Sequence, residues 1–296
     1  MGSFRLASIV TALSLAPACG GGNGNGAAAD AAAGGADAPV SADAASPPDA
    51  APPIDAEPSV DARPANLDCL GTSLPDTAPD PLTITGTVYN PGIPGITNDT
   101  LIVGADVESF LRGDETTPIA TATSTTGGAF VLSASNGSQT PVNAYVRTTE
   151  SGYWSTYLYP PTPVFENQTG VQVVMTTNTQ AGLLQNLTGV TIDPEKGWVS
   201  VLVLDCNGDP VEGATVTSSP AAGDTAYQDA GGVPSTSASA TSASGVALLF
   251  NVPVGDVELD ATVSGMILRA NTVQVHATNA GMSGQPHAIT TTVIVP

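Results

Sequence analysis

The feature that most constrains this chain is a series of short runs of β-branched and apolar residues that begins at residue 82. In the run 82–89, small or apolar residues at even positions alternate with threonines at positions 83, 85 and 87. A period of two places one face of a strand on a core and the other in water, and the runs are separated by turn-forming Gly, Asn, Asp and Pro. The pattern predicts an all-β protein. The predicted strands cover 82–89, 99–108, 129–133, 142–147, 153–159, 171–176, 198–204, 214–218, 245–251, 256–263, 271–277 and 288–295.

The charge of the chain excludes one large class of partner. The 296 residues include 27 acidic and 6 basic side chains, so the formal net charge at pH 7 is −21. Nucleic-acid binding depends on Lys and Arg side chains that neutralise phosphates. We therefore expect no nucleic-acid partner, and the sequence has no feature that predicts an oligomeric state.

Two short segments recur in the second half of the chain. Residues 104–107 (GADV) resemble 213–216 (GATV), and residues 124–130 (STTGGAF) resemble 241–247 (TSASGVA). We interpret this recurrence as a duplication of one β-sandwich pattern, because sandwiches are built from many short strands with frequent turns.

The duplication predicts two tandem β-sandwich domains, at 80–178 and 193–296. The connector, 179–192, carries apolar residues at 183, 184, 187 and 190, which is helical spacing. It is predicted to be one or two helical turns, or a loop.

The motifs of the second half follow one another in a recognisable order. Residues 207–216 read NGDPVEGATV, Thr241 and Gly245 mark a second turn, and 251–255 read NVPVG. Asn-Gly is a strong hairpin signal. The series resembles the carboxypeptidase regulatory-like family, whose domains are transthyretin-like Greek-key sandwiches, and the first half keeps a weaker form of it. The resemblance implies a non-catalytic accessory or adhesion module without a cofactor.

The first 19 residues have the pattern of an export signal. Arg5 precedes an apolar run of about 10 residues, which is too short to span a bilayer. Small residues and Cys19 follow, and the segment resembles a bacterial lipoprotein signal peptide, although Ala16 stands where that family usually has Leu. The resemblance implies that Cys19 is lipidated, and Gly20 after it favours the outer membrane of a Gram-negative-type bacterium. Plain secretion with cleavage nearby is the alternative.

Residues 20–79 are predicted to be a disordered linker. A Gly-rich stretch, 20–26, is followed by a segment rich in Ala, Asp and Pro that has no apolar face. Glycine loses much entropy when it is ordered, proline breaks helices, and like charges extend the chain. We interpret the linker as a solvated stalk that lifts the β domains off the membrane.

Cysteine usage leaves two alternatives. With Cys19 lipidated, Cys69 and Cys206 remain, and an even pair in an exported protein favours a disulfide. Such a bond would pin the end of the stalk to the second domain. The alternative is two free thiols, with Cys206 serving as a small apolar strand residue.

The candidate ligand platform is a strip of aromatic residues. Tyr153, Trp154, Tyr157 and Tyr159 lie within seven positions, and the three tyrosines share one face of a strand while Trp154 lies on the other. One face could stack a sugar ring or a peptide, as in a carbohydrate-binding accessory protein. The alternative is ordinary core packing.

The sequence contains no convincing catalytic or metal-binding motif. His276 and His287 are the only histidines and lie outside any zinc-binding motif. No G-x-S-x-G nucleophile motif and no phosphate-binding loop occur. We therefore expect a membrane-anchored lipoprotein, surface-exposed or periplasmic, with binding or structural modules and no enzymatic activity. Its expected partners are the membrane and a glycan or surface protein.

Overall fold

The computed structural model describes residues 65–92, 98–135, 137–229 and 232–296. Within them the chain is built almost entirely of β-strands, which confirms the predicted all-β class. Residues 1–64, which include Cys19 and most of the predicted stalk, lie outside the described residues. The strands are β1 (Leu82–Asn90), β2 (Thr100–Leu101), β3 (Asp106–Leu111), β4 (Ala120–Thr123), β5 (Ala129–Ala134), β6 (Ala144–Thr149), β7 (Ser155–Tyr159), β8 (Gln168–Val174), β9 (Gly197–Val203), β10 (Thr215–Ser219), β11 (Asp224–Gln228), β12 (Pro234–Ser235), β13 (Val246–Val252), β14 (Gly255–Val263), β15 (Met266–Ile267), β16 (Asn271–Val275) and β17 (Ala288–Ile294). The helix is α1 (Asn178–Thr188), and Thr126–Gly128 forms one 3₁₀ turn.

Nine of these strands form one continuous sheet, here called the central sheet. Its strand order is β12-β11-β13-β9-β17-β7-β6-β3-β4. The parallel pair β7 and β17 joins strands from the two predicted sandwich ranges, with Ser155 opposite Ala288 and Tyr159 opposite Thr292. The ranges 80–178 and 193–296 therefore share a sheet, a long-range feature for which the sequence holds no local signal.

Two smaller sheets complete the fold. The first small sheet contains β1, β2, β5 and β8, and the second small sheet contains β10, β14, β15 and β16. In the first half of the chain, β1 pairs antiparallel with β5 and parallel with β8, while β3 pairs with β6 and β6 with β7. In the second half, β9 pairs antiparallel with β13 and parallel with β17, while β10 pairs with β14 and β14 with β16. The two halves thus repeat one pairing pattern.

The recurring sequence segments occupy equivalent places in this repeat. Gly104 and Gly213 both have positive φ angles, of 92° and 79°, and each lies two residues before the first residue of a strand, β3 and β10 respectively. An L-residue side chain is unfavourable in that conformation, which explains why glycine occurs at both positions. The similarity between 104–107 and 213–216 therefore reflects one chain turn used twice.

The central sheet is covered on both faces. One core cluster unites Val107 and Leu158 of the central sheet with Ile84 of the first small sheet. A second cluster unites Val199 of the central sheet with Val257 of the second small sheet. Because alternate residues of a strand point to opposite faces, the molecule has three layers, with the small sheets on opposite faces of the central one.

The connector between the halves contains helix α1. Thr177 caps its N-terminus in a capping box with Gln180, and Gly189 ends it in the left-handed conformation. The helix buries Ala181 and Leu184 in the cluster that also holds Trp198. Helix α1, with 11 residues, is longer than the one or two turns expected for the connector, and it adds to the cover over the second half of the central sheet.

The three sheets and helix α1 are together called the β body. Part of the predicted linker is fixed to it. Cys69 and Cys206 are joined by a disulfide, the Cys206 amide donates to the Asn66 carbonyl oxygen, and the Asn66 amide donates to Asp205 Oδ2 at 3.0 Å. Leu67 packs against the second core cluster. Residues 65–79, which the sequence assigned to a disordered linker, therefore belong to the folded body, because a covalent bond and specific hydrogen bonds hold this segment in place.

Candidate functional site

The aromatic strip covers β7 and the two residues before it, Tyr153 and Trp154, near the middle of the central sheet. Trp154 and Tyr159 are each only 1% exposed, while Tyr153 and Tyr157 are half-buried. Both faces of β7 are covered by other layers, so Trp154 and Tyr159 present no ring face to solvent. This corrects the expectation of an open platform formed by the four residues.

Each face of the strip has a defined packing role. Trp154 stacks on His287 at 5.3 Å between ring centroids and meets Trp198 edge-on at 5.9 Å. On the opposite face, Tyr159 stacks on Tyr145 at 4.9 Å. The strip therefore links the two core clusters, and the packing alternative accounts for these contacts.

The two histidines lie on opposite faces of β7. His276 stacks on Tyr157 at 3.8 Å between centroids, whereas His287 stacks on Trp154. Since Trp154 and Tyr157 point to opposite faces, the two imidazoles cannot share one metal ion. Within the described ranges, no cluster of three or more His, Cys, Asp or Glu side chains is arranged to hold a metal.

His276 lies in a group of charged side chains at the edge of the second small sheet. Its Nε2 is 3.7 Å from Glu115 Oε1, and Arg147 donates from Nε and Nη2 to Glu108 Oε2 at 3.1 and 2.7 Å. Burial lowers the pKa of His276, the Glu115 charge raises it, and the Arg147 charge lowers it further; the net shift is downward. The lowered pKa favours the neutral imidazole, which packs as an aromatic ring on Tyr157.

Two adjoining cavities lie where the segment 69–75, the β7–β8 loop and the residues around Arg269 meet. The larger has a volume of about 570 Å³ and the smaller about 500 Å³. Leu74, Arg269 and residues 161–163 line both of them. We call this pair of cavities the paired cavity.

The smaller cavity contains a second arginine, Arg112. Its Nη1 donates to the Thr272 carbonyl oxygen, and its Nη2 donates to Asn271 Oδ1 and to the Pro160 carbonyl oxygen at 3.0 Å each. The guanidinium lies 5.2 Å from the centre of the Tyr159 ring. Burial lowers the pKa of Arg112 and the nearby Tyr159 raises it, with a net downward shift. The group is a partly desolvated cation at the outer edge of β16.

The paired cavity is not marked by any motif of the sequence. One usable signal was the scarcity of basic residues, since the whole chain has only 6 Lys and Arg, and Arg112 and Arg269 lie in one place. Their proximity depends on pairing between strands distant in sequence, so no local motif reveals it. Of the predicted site residues, Cys69 lines the larger cavity and Tyr159 lines the smaller one.

Comparison with known proteins adds little. The chain matches no protein-family model and no curated protein sequence. Among solved structures it is similar to the Bacillus anthracis TIE protein, at 11% sequence identity and a TM-score of 0.23, over 72% of this chain and 34% of that one. The chain thus spans about a third of the length of that protein, and so weak a similarity supports no inference about fold or function. In the described part of the chain, no helix has the length and apolar character needed to cross a bilayer.

Proposed function

We propose that this chain is an exported lipoprotein, held on a membrane through Cys19, whose β body acts as a binding or structural module without catalysis. The membrane is its first partner, and the proposed location is the outer membrane of a Gram-negative-type bacterium. The body would stand off the membrane on the stretch that follows Cys19.

The observation that carries this proposal is the Cys69–Cys206 disulfide. Disulfides persist in oxidising compartments outside the cytosol, which agrees with the export signal at 1–19. The sequence has three cysteines. Because Cys69 and Cys206 are bonded to each other, Cys19 is the cysteine whose thiol is left for acylation. Cys19 is also the residue that the lipoprotein resemblance implies as the acylated one.

The construction of the body supports a non-catalytic role. The repeated pairing pattern of the two halves is consistent with two sandwich modules of the carboxypeptidase regulatory-like kind, fused along β7 and β17. The residues that unite the halves serve packing: Trp154 and Trp198 form an edge-on pair in the first core cluster. The body would present a ligand or partner site at its surface.

The test is metabolic labelling of cells that express the full chain, with radioactive palmitate followed by membrane fractionation. We expect the wild-type chain to carry label and to sediment with membranes, and Cys19→Ala to lose both properties. The double variant Cys69→Ala/Cys206→Ala is the matched control and should remain labelled. A wild-type chain recovered from the soluble exported fraction without an acyl group would contradict the proposal.

A further inference from the structure

We propose that the paired cavity binds a small amphipathic carboxylate, with the carboxylate in the smaller cavity beside Arg112 and Arg269 and the apolar body in the larger cavity. This assignment goes beyond the lipid anchor, because it concerns a ligand held by the β body.

The size of the paired cavity fits a small organic molecule. Ligand sites usually have volumes of about 300–1,000 Å³, with mostly apolar walls and a few polar groups. The two parts measure about 570 and 500 Å³ and share Leu74, Arg269 and residues 161–163. A ligand can therefore extend from one part to the other.

The walls of the two parts differ in chemistry. The larger cavity is lined mostly by apolar residues, among them Leu74, Val164, Phe165, Val293 and Val295, and also by the carboxylates Glu166 and Asp205. The smaller cavity is lined by Arg112, Asn271 and neighbouring polar residues as well as by Arg269. An apolar compartment beside a cationic one matches a molecule with an apolar body and an anionic head.

The two arginines have no carboxylate partner within the part of the chain that the structure describes. The ion pairs found there join Arg147 to Glu108 and His276 to Glu115. Arg269 donates from Nη2 to the Thr72 carbonyl oxygen at 2.9 Å, and the buried Arg112 Nε has no hydrogen-bond partner. In a chain of net charge −21, two cations without carboxylate partners form a local site for an anion.

Three acidic residues line the paired cavity, Glu166 and Asp205 in the larger part and Asp256 in the smaller, and none of them forms an ion pair with Arg112 or Arg269 in the described part of the chain. Asp205, which lines the larger cavity, accepts hydrogen bonds from the backbone amides of Asn66, Asn207 and Asp209 at 2.8–3.0 Å. The Asp205 carboxylate is therefore held by these three backbone amides. Asp256, in the smaller cavity, is exposed, so water and salt screen its charge.

The test is titration calorimetry of decanoate into the full chain carrying Cys19→Ala, which needs no detergent. We expect one molecule of decanoate to bind per chain, more tightly than hexanoate, which fills less of the apolar part. Decanol and decyltrimethylammonium should bind at least about tenfold more weakly, because a charge-assisted hydrogen bond contributes enough for that factor.

Variants locate the site. Arg269→Gln should weaken decanoate binding about tenfold or more, while Lys196→Gln, which removes an equal charge from an exposed position, should leave it unchanged. Arg112→Gln should act like Arg269→Gln, with circular dichroism to confirm that it folds. The proposal is overturned by no decanoate binding at millimolar concentration, by equal binding of decanol, or by equal effects of Lys196→Gln and Arg269→Gln. None of these outcomes depends on whether Cys19 is acylated in cells.

Discussion

Ser124 and Thr241 make the same hydrogen bonds in the two halves of the chain. The Ser124 Oγ accepts from the Ala105 amide at 2.9 Å and donates to the Ile102 carbonyl oxygen at 2.8 Å. The Thr241 Oγ1 accepts from the Ala214 amide at 2.9 Å and donates to the equivalent carbonyl oxygen, that of Val211, at 2.7 Å. Their backbones also pair in the same way with 104–105 and 213–214. The repeated hydroxyl closes the same buried turn twice.

Removing either hydroxyl should destabilise the protein. Ser124 and Thr241 are 2% and 3% exposed, so Ser124→Ala and Thr241→Val each leave a buried amide and a buried carbonyl unpaired. We expect a loss of about 1–3 kcal/mol in the free energy of unfolding from each change, measured by urea denaturation. Ser133→Ala, at an exposed position of β5, is the control and should change stability by less than about 0.5 kcal/mol. Unchanged stability in both variants would contradict the assigned role.

Adjacent glycines provide a matched test of close packing. Gly127 and Gly128 both have positive φ angles, but a Cβ at Gly128 would lie 2.3 Å from the Val88 carbonyl oxygen, whereas nothing lies within 4 Å of one at Gly127. Both Ala substitutions carry backbone strain of about 1–2 kcal/mol. Only Gly128→Ala adds a clash, so its midpoint of thermal unfolding should fall clearly below that of Gly127→Ala. Equal midpoints would show that the turn relaxes.

The disulfide should contribute strongly to stability. It closes a loop with a sequence separation of 137 residues, and loop-closure entropy for such a length gives about 5 kcal/mol as an upper figure. We expect Cys69→Ala/Cys206→Ala to lose about 2–5 kcal/mol and to expose 65–75 to proteolysis. Cys19→Ala is the control and should leave stability unchanged. An intact mass that does not rise on reduction of the wild-type chain would mean that the bond is not formed.

The stability of the protein should depend on pH through His276. Its pKa is lower in the folded state than its ordinary value of 6.5, so the unfolded chain binds more protons as the pH falls. The contribution of the neutral His276 to the free energy of unfolding is therefore complete well above pH 6.5, and it is lost as the pH falls below that value. The slope is at most about 1.4 kcal/mol per pH unit for one proton.

His276→Phe tests this dependence because it keeps a ring on Tyr157 but does not titrate. Urea denaturation at about pH 7.5 and about pH 5.5 should show a smaller difference in unfolding free energy for the variant than for the wild-type chain. An equal difference in both proteins would assign the pH dependence to other groups.

Tryptophan fluorescence tests the burial of the aromatic strip. The chain has two tryptophans, Trp154 and Trp198, which are 1% and 6% exposed. Iodide should quench the native emission weakly and the emission of the urea-unfolded chain strongly. Trp198→Phe leaves Trp154 as the sole reporter, and strong quenching of that native variant would mean that the strip is open to solvent.

Several features of the fold could be predicted from residues close together in sequence. Period-two alternation predicted strands that bury one face, such as β1 and β5, whereas β9 and β17, which are buried on both faces, occur as short apolar and β-branched runs. The recurrence of Gly-Ala at 104–105 and 213–214 predicted the duplication, because both sites need a residue that tolerates a positive φ angle. The capping residues Thr177 and Gly189 lie beside a helical apolar spacing, and the connector is the helix that this spacing favours.

The sequence by itself therefore determined the class of the fold, the repeat and the cysteines available for bonding, since each depends on local conformational preference or on residue chemistry. Only the tertiary structure decided that β17 pairs with β7, that both faces of the Trp154–Tyr159 strip are covered, and that Arg112 and Arg269 line one cavity. Each of these features includes residues more than 100 positions apart, such as Ser155 with Ala288, Tyr157 with His276, and Arg112 with Arg269. Such contacts are selected by the packing of whole sheets, and no short pattern of residues encodes them.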